Sequence, residues 1–186
     1  MTKTVIAEIS AKHIHLSQED LAKLFGKNYK LKKFRALSEP TQFAAKEKVF
    51  ILGAKKHLSL RIVGPARKKS QVELAMTDCI FLGIKPAIQL SEHVAKATLV
   101  IVQGPKGRVK VPAIVPWRHL HISLAQAKLW RLRAGQRISA IIPGQRAIEF
   151  KNIIVRPGPF VTRLHLDTDE GNAAGIKSGT KVKLSI

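Results

Sequence analysis

The pattern His-x-His occurs twice in this chain, as His13-Ile14-His15 and as His119-Leu120-His121. Side chains at i and i+2 share one face of a β-strand, whereas on a helix the same spacing turns the two rings to nearly opposite sides. The flanks choose the strand. Val5-Ile6-Ala7-Glu8-Ile9-Ser10 leads into the first pair and Val111-Pro112-Ala113-Ile114-Val115 into the second. A helix start follows each: Ser17-Gln18-Glu19-Asp20 and Ser123-Leu124-Ala125-Gln126 read as capping boxes. One His-x-His is weak evidence for a metal. Its recurrence in matched context points to a duplicated architecture in which each pair closes on an ion.

A second internal match supports the duplication. Glu73-Leu-Ala-Met-Thr-Asp-Cys-Ile-Phe-Leu-Gly-Ile-Lys aligns with His165-Leu-Asp-Thr-Asp-Glu-Gly-Asn-Ala-Ala-Gly-Ile-Lys. Glu73 and His165 then hold equivalent places, each at a strand end ahead of a helix that closes with Gly-Ile-Lys. Each half offers a His-x-His pair and one further ligand type: His13, His15 and Glu73, then His119, His121 and His165. Five of the seven histidines are used, leaving His57 and His93.

Short helices are expected at Gln18 to Phe25, Met76 to Leu82, Leu124 to Leu132 and from near Asp169, with stops at Gly26, Gly83 and Gly135. Short strands fill the rest: Lys48 to Leu52, Leu58 to Val63, Ala87 to Leu90, Ala97 to Val102, Arg137 to Ile142, Ala147 to Val155 and Val161 to Leu166. Turns are read at Gly53-Ala54-Lys55-Lys56 and Gly104-Pro105-Lys106-Gly107, and breaks at Gly64-Pro65 and Pro157-Gly158-Pro159. The fold class is therefore mainly β: two small pseudo-symmetric β-barrels capped by short α-helices. The repeat halves are 1–110 and 111–186. This reading allows the barrels to exchange strands, so they need not coincide with the halves.

Composition narrows the chemistry. No apolar run approaches the ~20 residues of a membrane span. Met1-Thr2-Lys3-Thr4 enters a strand without the features of a signal peptide. Cys79 is the only cysteine, so neither an internal disulfide nor a thiolate metal cluster can form, and a reducing cytoplasm is the expected setting. Any metal must be held by nitrogen and oxygen. Three such ligands with an open position form the pattern of a catalytic zinc site. Arg67, six residues before Glu73 and behind a Gly-Pro break, stands where a loop can aim a guanidinium at phosphate. The chain carries 33 Lys+Arg against 12 Asp+Glu, a formal +21, a field that draws in anions.

Five ordered motifs carry a resemblance: Ser10-Ala11-Lys12-His13-Ile14-His15-Leu16-Ser17; Gln42-Phe43-Ala44-Ala45; Gly64-Pro65-Ala66-Arg67 with Gln71-Val72-Glu73; Arg118-His119-Leu120-His121; and His165-Leu166-Asp167-Thr168-Asp169-Glu170 with Asn172-Ala173-Ala174-Gly175. Over nearly its whole length the chain resembles the phosphate propanoyltransferases, phosphotransacylases best known from bacterial microcompartments. The resemblance implies two β-barrels with two zinc ions between them, and reversible acetyl or propanoyl transfer between coenzyme A and phosphate by direct attack. It implies one zinc on His13, His15 and Glu73, and a second on His119, His121 and His165. Arg67 would hold phosphate, Gln42, Gln71, Ser91 and Arg156 would line the pocket, and Asn172 would lie near coenzyme A. A homo-oligomer is compatible with it.

Two departures stand out: Lys12 replaces the family's usual Arg, and Lys46 an expected acidic residue. There is also no room before the first strand for an amphipathic targeting tag, which favours a cytoplasmic enzyme. The alternatives are another His-x-His metallohydrolase and a basic nucleic-acid-binding module. The metallo-β-lactamase pattern needs Asp where Ser17 stands, and a TIM-barrel amidohydrolase needs ~250 residues. Nucleic acid is expected to bind only non-specifically, through charge.

Overall fold

A computed structural model describes residues 2–53, 56–91 and 97–186. The turn expected at Gly53-Ala54-Lys55-Lys56 lies partly outside them, as does His93. In chain order the elements are β1 (Thr2–Ser10), β2 (His13–His15), α1 (Gln18–Phe25), β3 (Lys33–Ala36), β4 (Phe43–Leu52), β5 (His57–Gly64), β6 (Gln71–Glu73), α2 (Met76–Leu82), β7 (Ile88–Gln89), β8 (Thr98–Gln103), β9 (Arg108–Pro116), β10 (His119–Ser123), α3 (Leu124–Trp130), β11 (Arg137–Ile142), β12 (Ile148–Gly158), β13 (Arg163–Asp167), α4 (Thr168–Ala174) and β14 (Lys181–Ser185). The fold is mainly β, two six-stranded barrels with short helices.

The chain divides into two compact units, Lys12–Pro116 and Met1–Ala11 with Trp117–Ile186. In the first, β2 pairs β5 in parallel and β6 antiparallel, β6 pairs β9 in parallel, and β8 closes the ring between β9 and β4, both antiparallel. The antiparallel β4–β5 pair completes it. In the second unit, β10 pairs β12 in parallel and β13 antiparallel, and β13 pairs β1 in parallel. There β14 closes between β1 and β11, and β11 returns to β12, all antiparallel. The two ladders have the same pattern of parallel and antiparallel neighbours, with β2 standing for β10, β6 for β13 and β9 for β1. The first strand of the chain thus completes the barrel built from its last third.

Each barrel is filled by its own apolar cluster. Ile14 and Leu120, the middle residues of the two His-x-His runs, are 0% exposed. Burying such a side chain contributes roughly 1.5–3 kcal/mol. Since a one-residue slip exchanges the faces of a strand, these two residues lock the flanking histidines onto the opposite face.

Helix ends follow local chemistry. Ser17 Oγ accepts from Asp20 N–H at 3.1 Å, and Ser123 Oγ accepts from Gln126 N–H at 3.2 Å. The Asp20 carboxylate accepts instead from Ser70 Oγ at 2.5 Å. α2 and α4 end at Gly83 and Gly175, both left-handed. α3 is shorter than its sequence suggests. Arg131 turns left-handed (φ 55°), and Leu132 folds into the core, 7% exposed, well before Gly135. Nor does Pro157-Gly158 break its strand. β12 pairs β11 only as far as Ile154, and beyond it has β10 as its described neighbour, so Pro157 sits where a missing N–H is tolerated.

Candidate functional site

The short ladders bring the six ligand-type residues together as two triads. In the Lys12–Pro116 unit, β2 and β6 pair His13 with Glu73 and His15 with Gln71. In the other, β10 and β13 pair His119 with His165 and His121 with Arg163. Glu73 and His165 therefore occupy the same rung. Within each triad the ligand atoms all lie within 4.8 Å of one another.

The His13–His15–Glu73 triad is held by named partners. His15 Nδ1 donates to the Val63 carbonyl at 3.2 Å, which leaves its Nε2 lone pair directed at the triad. Glu73 Oε1 accepts from Gln71 Nε2 at 2.7 Å and from Ser91 Oγ at 2.9 Å. Its other oxygen, Oε2, stands 3.6 Å from His13 Nε2. His13 Nε2 and His15 Nε2 are 3.2 Å apart. Two nitrogens bound to a tetrahedral zinc at ~2.05 Å stand roughly 3.3 Å from each other, so this spacing suits a shared ion. Burial holds the His15 imidazole well below its ordinary pKa, and the nearby charges of His13 and Arg67 add to the effect. It is therefore neutral, as a ligand must be, near pH 7.

The second triad is all imidazole. His119 and His165 stack at 5.0 Å with 1° between their planes, while His121 tilts against both, at 4.6 and 4.5 Å. His119 Nδ1 donates to the Trp117 carbonyl at 2.8 Å, again directing Nε2 inward. Its pKa is well below normal, through burial first, then His165 and His121, with Arg156 contributing. Three imidazole nitrogens, two of them on buried rings, fit a divalent ion as well as the first set does.

The pocket residues expected from the sequence divide. Gln71 and Ser91 touch Glu73 directly. Arg67 acts on His15 electrostatically, and its N–H is tied to the Leu16 carbonyl at 2.8 Å. Arg156 lies across from His121 on the β10–β12 ladder. Gln42 precedes Phe43, which pairs with Gly64. Asn172 is exposed on α4, where its carbonyl accepts from Gly175 N–H. The described contacts tie neither Gln42 nor Asn172 to a triad.

Sequence reasoning missed Phe160, whose ring stacks on His121 at 4.0 Å and 7°. It also missed the roles of Asp78 and Glu170, which bind Lys12 at 3.0 Å and Arg118 at 2.6 Å. The signal was present: the aligned segments place a carboxylate at corresponding helix positions, and each His-x-His is preceded by a cation.

Two β-barrels, each with three N/O donors gathered on one three-rung ladder, define a double-barrel protein with paired sites suited to divalent metal. Comparison with known proteins gives the family. The phosphate propanoyltransferase family model matches residues 6–177. The chain is similar to phosphate propanoyltransferases of Listeria monocytogenes (37% identity; 95% of this chain, 85% of the relative), Clostridioides difficile (35%; 95% and 87%) and Lachnoclostridium phytofermentans (38%; 95% and 84%). The chain belongs to the phosphate propanoyltransferase family and is an acyltransferase of the phosphotransacylase type. Among the described residues, no helix is long and apolar enough to cross a membrane.

Proposed function

We propose that the protein transfers a short acyl group, acetyl or propanoyl, reversibly between coenzyme A and inorganic phosphate, with one zinc at each triad. The observation that carries this reading is the pair of three-donor clusters on equivalent rungs in a chain of this family. His13, His15 and Glu73 would hold one ion, and His119, His121 and His165 the other. Metal at such sites lowers the pKa of a thiol and polarises a carbonyl.

The chain's own groups supply the rest. The Arg67 guanidinium holds phosphate as a two-pronged donor and stabilises the oxyanion that forms when the acyl carbon becomes tetrahedral. Gln71 and Ser91 keep Glu73 oriented, and Arg156, Gln42 and Asn172 contribute to the pocket and the coenzyme contact. The coenzyme A sulfur adds to the acyl carbon and the bond to the phosphate oxygen breaks. The thiol proton leaves with phosphate, and the reverse reaction retraces these steps. Direct attack is supported by the state of the only cysteine: Cys79 is 1% exposed and donates to the carbonyl of Ala75, the residue just before α2, so no thiol stands ready to form an acyl-enzyme. A sole, buried, unoxidised cysteine also suits a cytoplasmic setting.

Purified protein given acetyl phosphate and coenzyme A is expected to form the thioester, to stop on chelation and to resume when zinc is returned. Undiminished turnover in metal-free protein would overturn the zinc assignment, and no thioester under any condition would overturn acyl transfer.

A further inference from the structure

Both triads end in the same contact. Lys12, immediately before His13, places Nζ 3.0 Å from Asp78 Oδ1. The other oxygen, Asp78 Oδ2, accepts from the Ala75 N–H at 3.2 Å, two residues beyond Glu73. In the second unit Arg118, immediately before His119, places Nε 2.6 Å from Glu170 Oε1. There Oε2 of Glu170 accepts from the Asp167 N–H at 3.1 Å, two residues beyond His165. One carboxylate at the third position of each helix thus joins the residue before the first ligand to the backbone two residues beyond the third.

The location gives this contact a task. The β2–β6 and β10–β13 ladders have only three rungs each, and His13–Glu73 and His119–His165 are the terminal rungs. His13, Glu73 and His119 begin or end their strands, while β13 runs on past His165 to Asp167 against β1, and strand ends are where pairing opens first. These are also the points where the chain passes between units, after Ala11 and after Pro116. A ligand on a frayed rung costs more than its own bond, since an error of about 1 Å in a site is felt in function.

We propose that Lys12–Asp78 and Arg118–Glu170 are positioning pins, each closing the terminal rung that sets the first and third ligands of its own metal site. Neither pair touches substrate in this role. The inference rests on the metal reading above and adds to it a division of labour: each pin serves one site. Arginine and lysine fill the same place, so the pin requires a cation and a carboxylate rather than a planar fork.

The test titrates cobalt(II) into the metal-free full-length chain, reading its ligand-field absorbance and the thermal midpoint before metal is added. Wild type is expected to take up two equivalents. Asp78→Asn keeps a helix-capping oxygen but removes the charge, and is expected to weaken one equivalent about 10–100-fold, the loss typical of outer-shell ligand partners, while sparing the second. Glu170→Gln is expected to weaken the other equivalent alone. Lys12→Met should repeat the Asp78→Asn result, and Lys12→Arg should retain wild-type binding. Unchanged cobalt(II) affinity in all three disruptive variants overturns the pins, as does an equal loss at both sites or a loss that tracks a lowered metal-free midpoint. Should a carboxylate variant fail to fold, Lys12→Met alone decides by the same criteria. A wild-type chain that takes up no cobalt(II) overturns the metal reading itself.

Discussion

The two triads are the same construction with one donor exchanged. Both stand on a three-rung antiparallel ladder, both have a buried apolar residue between their histidines, and both have one imidazole fixed by a backbone carbonyl. At the shared rung one unit offers Glu73 and the other His165. Glu73 brings a negative charge and one oxygen already shared between Gln71 and Ser91. His165 brings an imidazole ring stacked on His119. With a divalent ion, the two sites would differ by one unit of net charge, the all-histidine site being the stronger Lewis acid. The two ladders share their geometry, and the different donor at the shared rung gives the sites different electrostatics.

The largest effect expected comes from removing a ligand. His13→Ala and His119→Ala should each lower acyl transfer on the order of 10²–10³-fold, the scale of losing one key electrophilic contact, and each should abolish one metal equivalent. If either variant retains both metal and turnover, the equivalence of the two triads is broken.

A second pair of changes probes the walls. A Cβ on Gly158 would lie 2.5 Å from Phe160 Cε2, and one on Gly64 would lie 2.5 Å from Phe43 Cζ. Gly158→Ala should cost about 1–3 kcal/mol and displace the ring stacked on His121. Gly64→Ala should cost a similar amount but disturb the segment leading to Arg67. Chemical denaturation gives the common stability loss. Zinc affinity separates the two, falling for Gly158→Ala more than for Gly64→Ala.

Acidification tests what the triads share. His15 and His119 are held below the ordinary imidazole value of 6.5. Between their depressed folded values and 6.5 the unfolded chain binds protons that the folded chain does not, so stability is complete above this window and falls as pH drops through it. The urea midpoint of metal-free protein should decline below about pH 6.5, and His119→Phe should flatten that decline. A midpoint that rises on acidification contradicts the neutral-imidazole account. The smallest effect belongs to the caps: Ser17→Ala and Ser123→Ala should each cost about 1 kcal/mol. Unequal costs would show that the two units depend differently on their first helices.

Much of this was legible in one dimension. Alternation read the His-x-His strands correctly because Ile14 and Leu120 needed a core. Gly83 and the Met76 start placed α2 because a left-handed stop and an extended residue before it are local properties. α3 was read too long because its end is decided by Leu132 entering the core, which no nearby glycine announces. The Pro157-Gly158 segment was read as a break because a proline's tolerance depends on which neighbour the strand lacks. Phe160 was overlooked since its partner, His121, is remote along the chain. β14 passed unnoticed because alternating lysines look like a solvated tail until β1 and β11 flank them.

The sequence by itself determined the duplication, the six ligand-type residues, the alternation that points them to one face and the caps that stop each strand–helix unit. All of these are set by residues within a few positions of one another. Only the tertiary structure decided that β1 closes the barrel of the chain's last third, that His13 faces Glu73 and His119 faces His165, and that Lys12 and Arg118 close on helix carboxylates. Those are pairings between distant segments. Their choice depends on which closed ladder satisfies every backbone hydrogen bond while burying both apolar clusters, and that condition exists only for the folded chain as a whole.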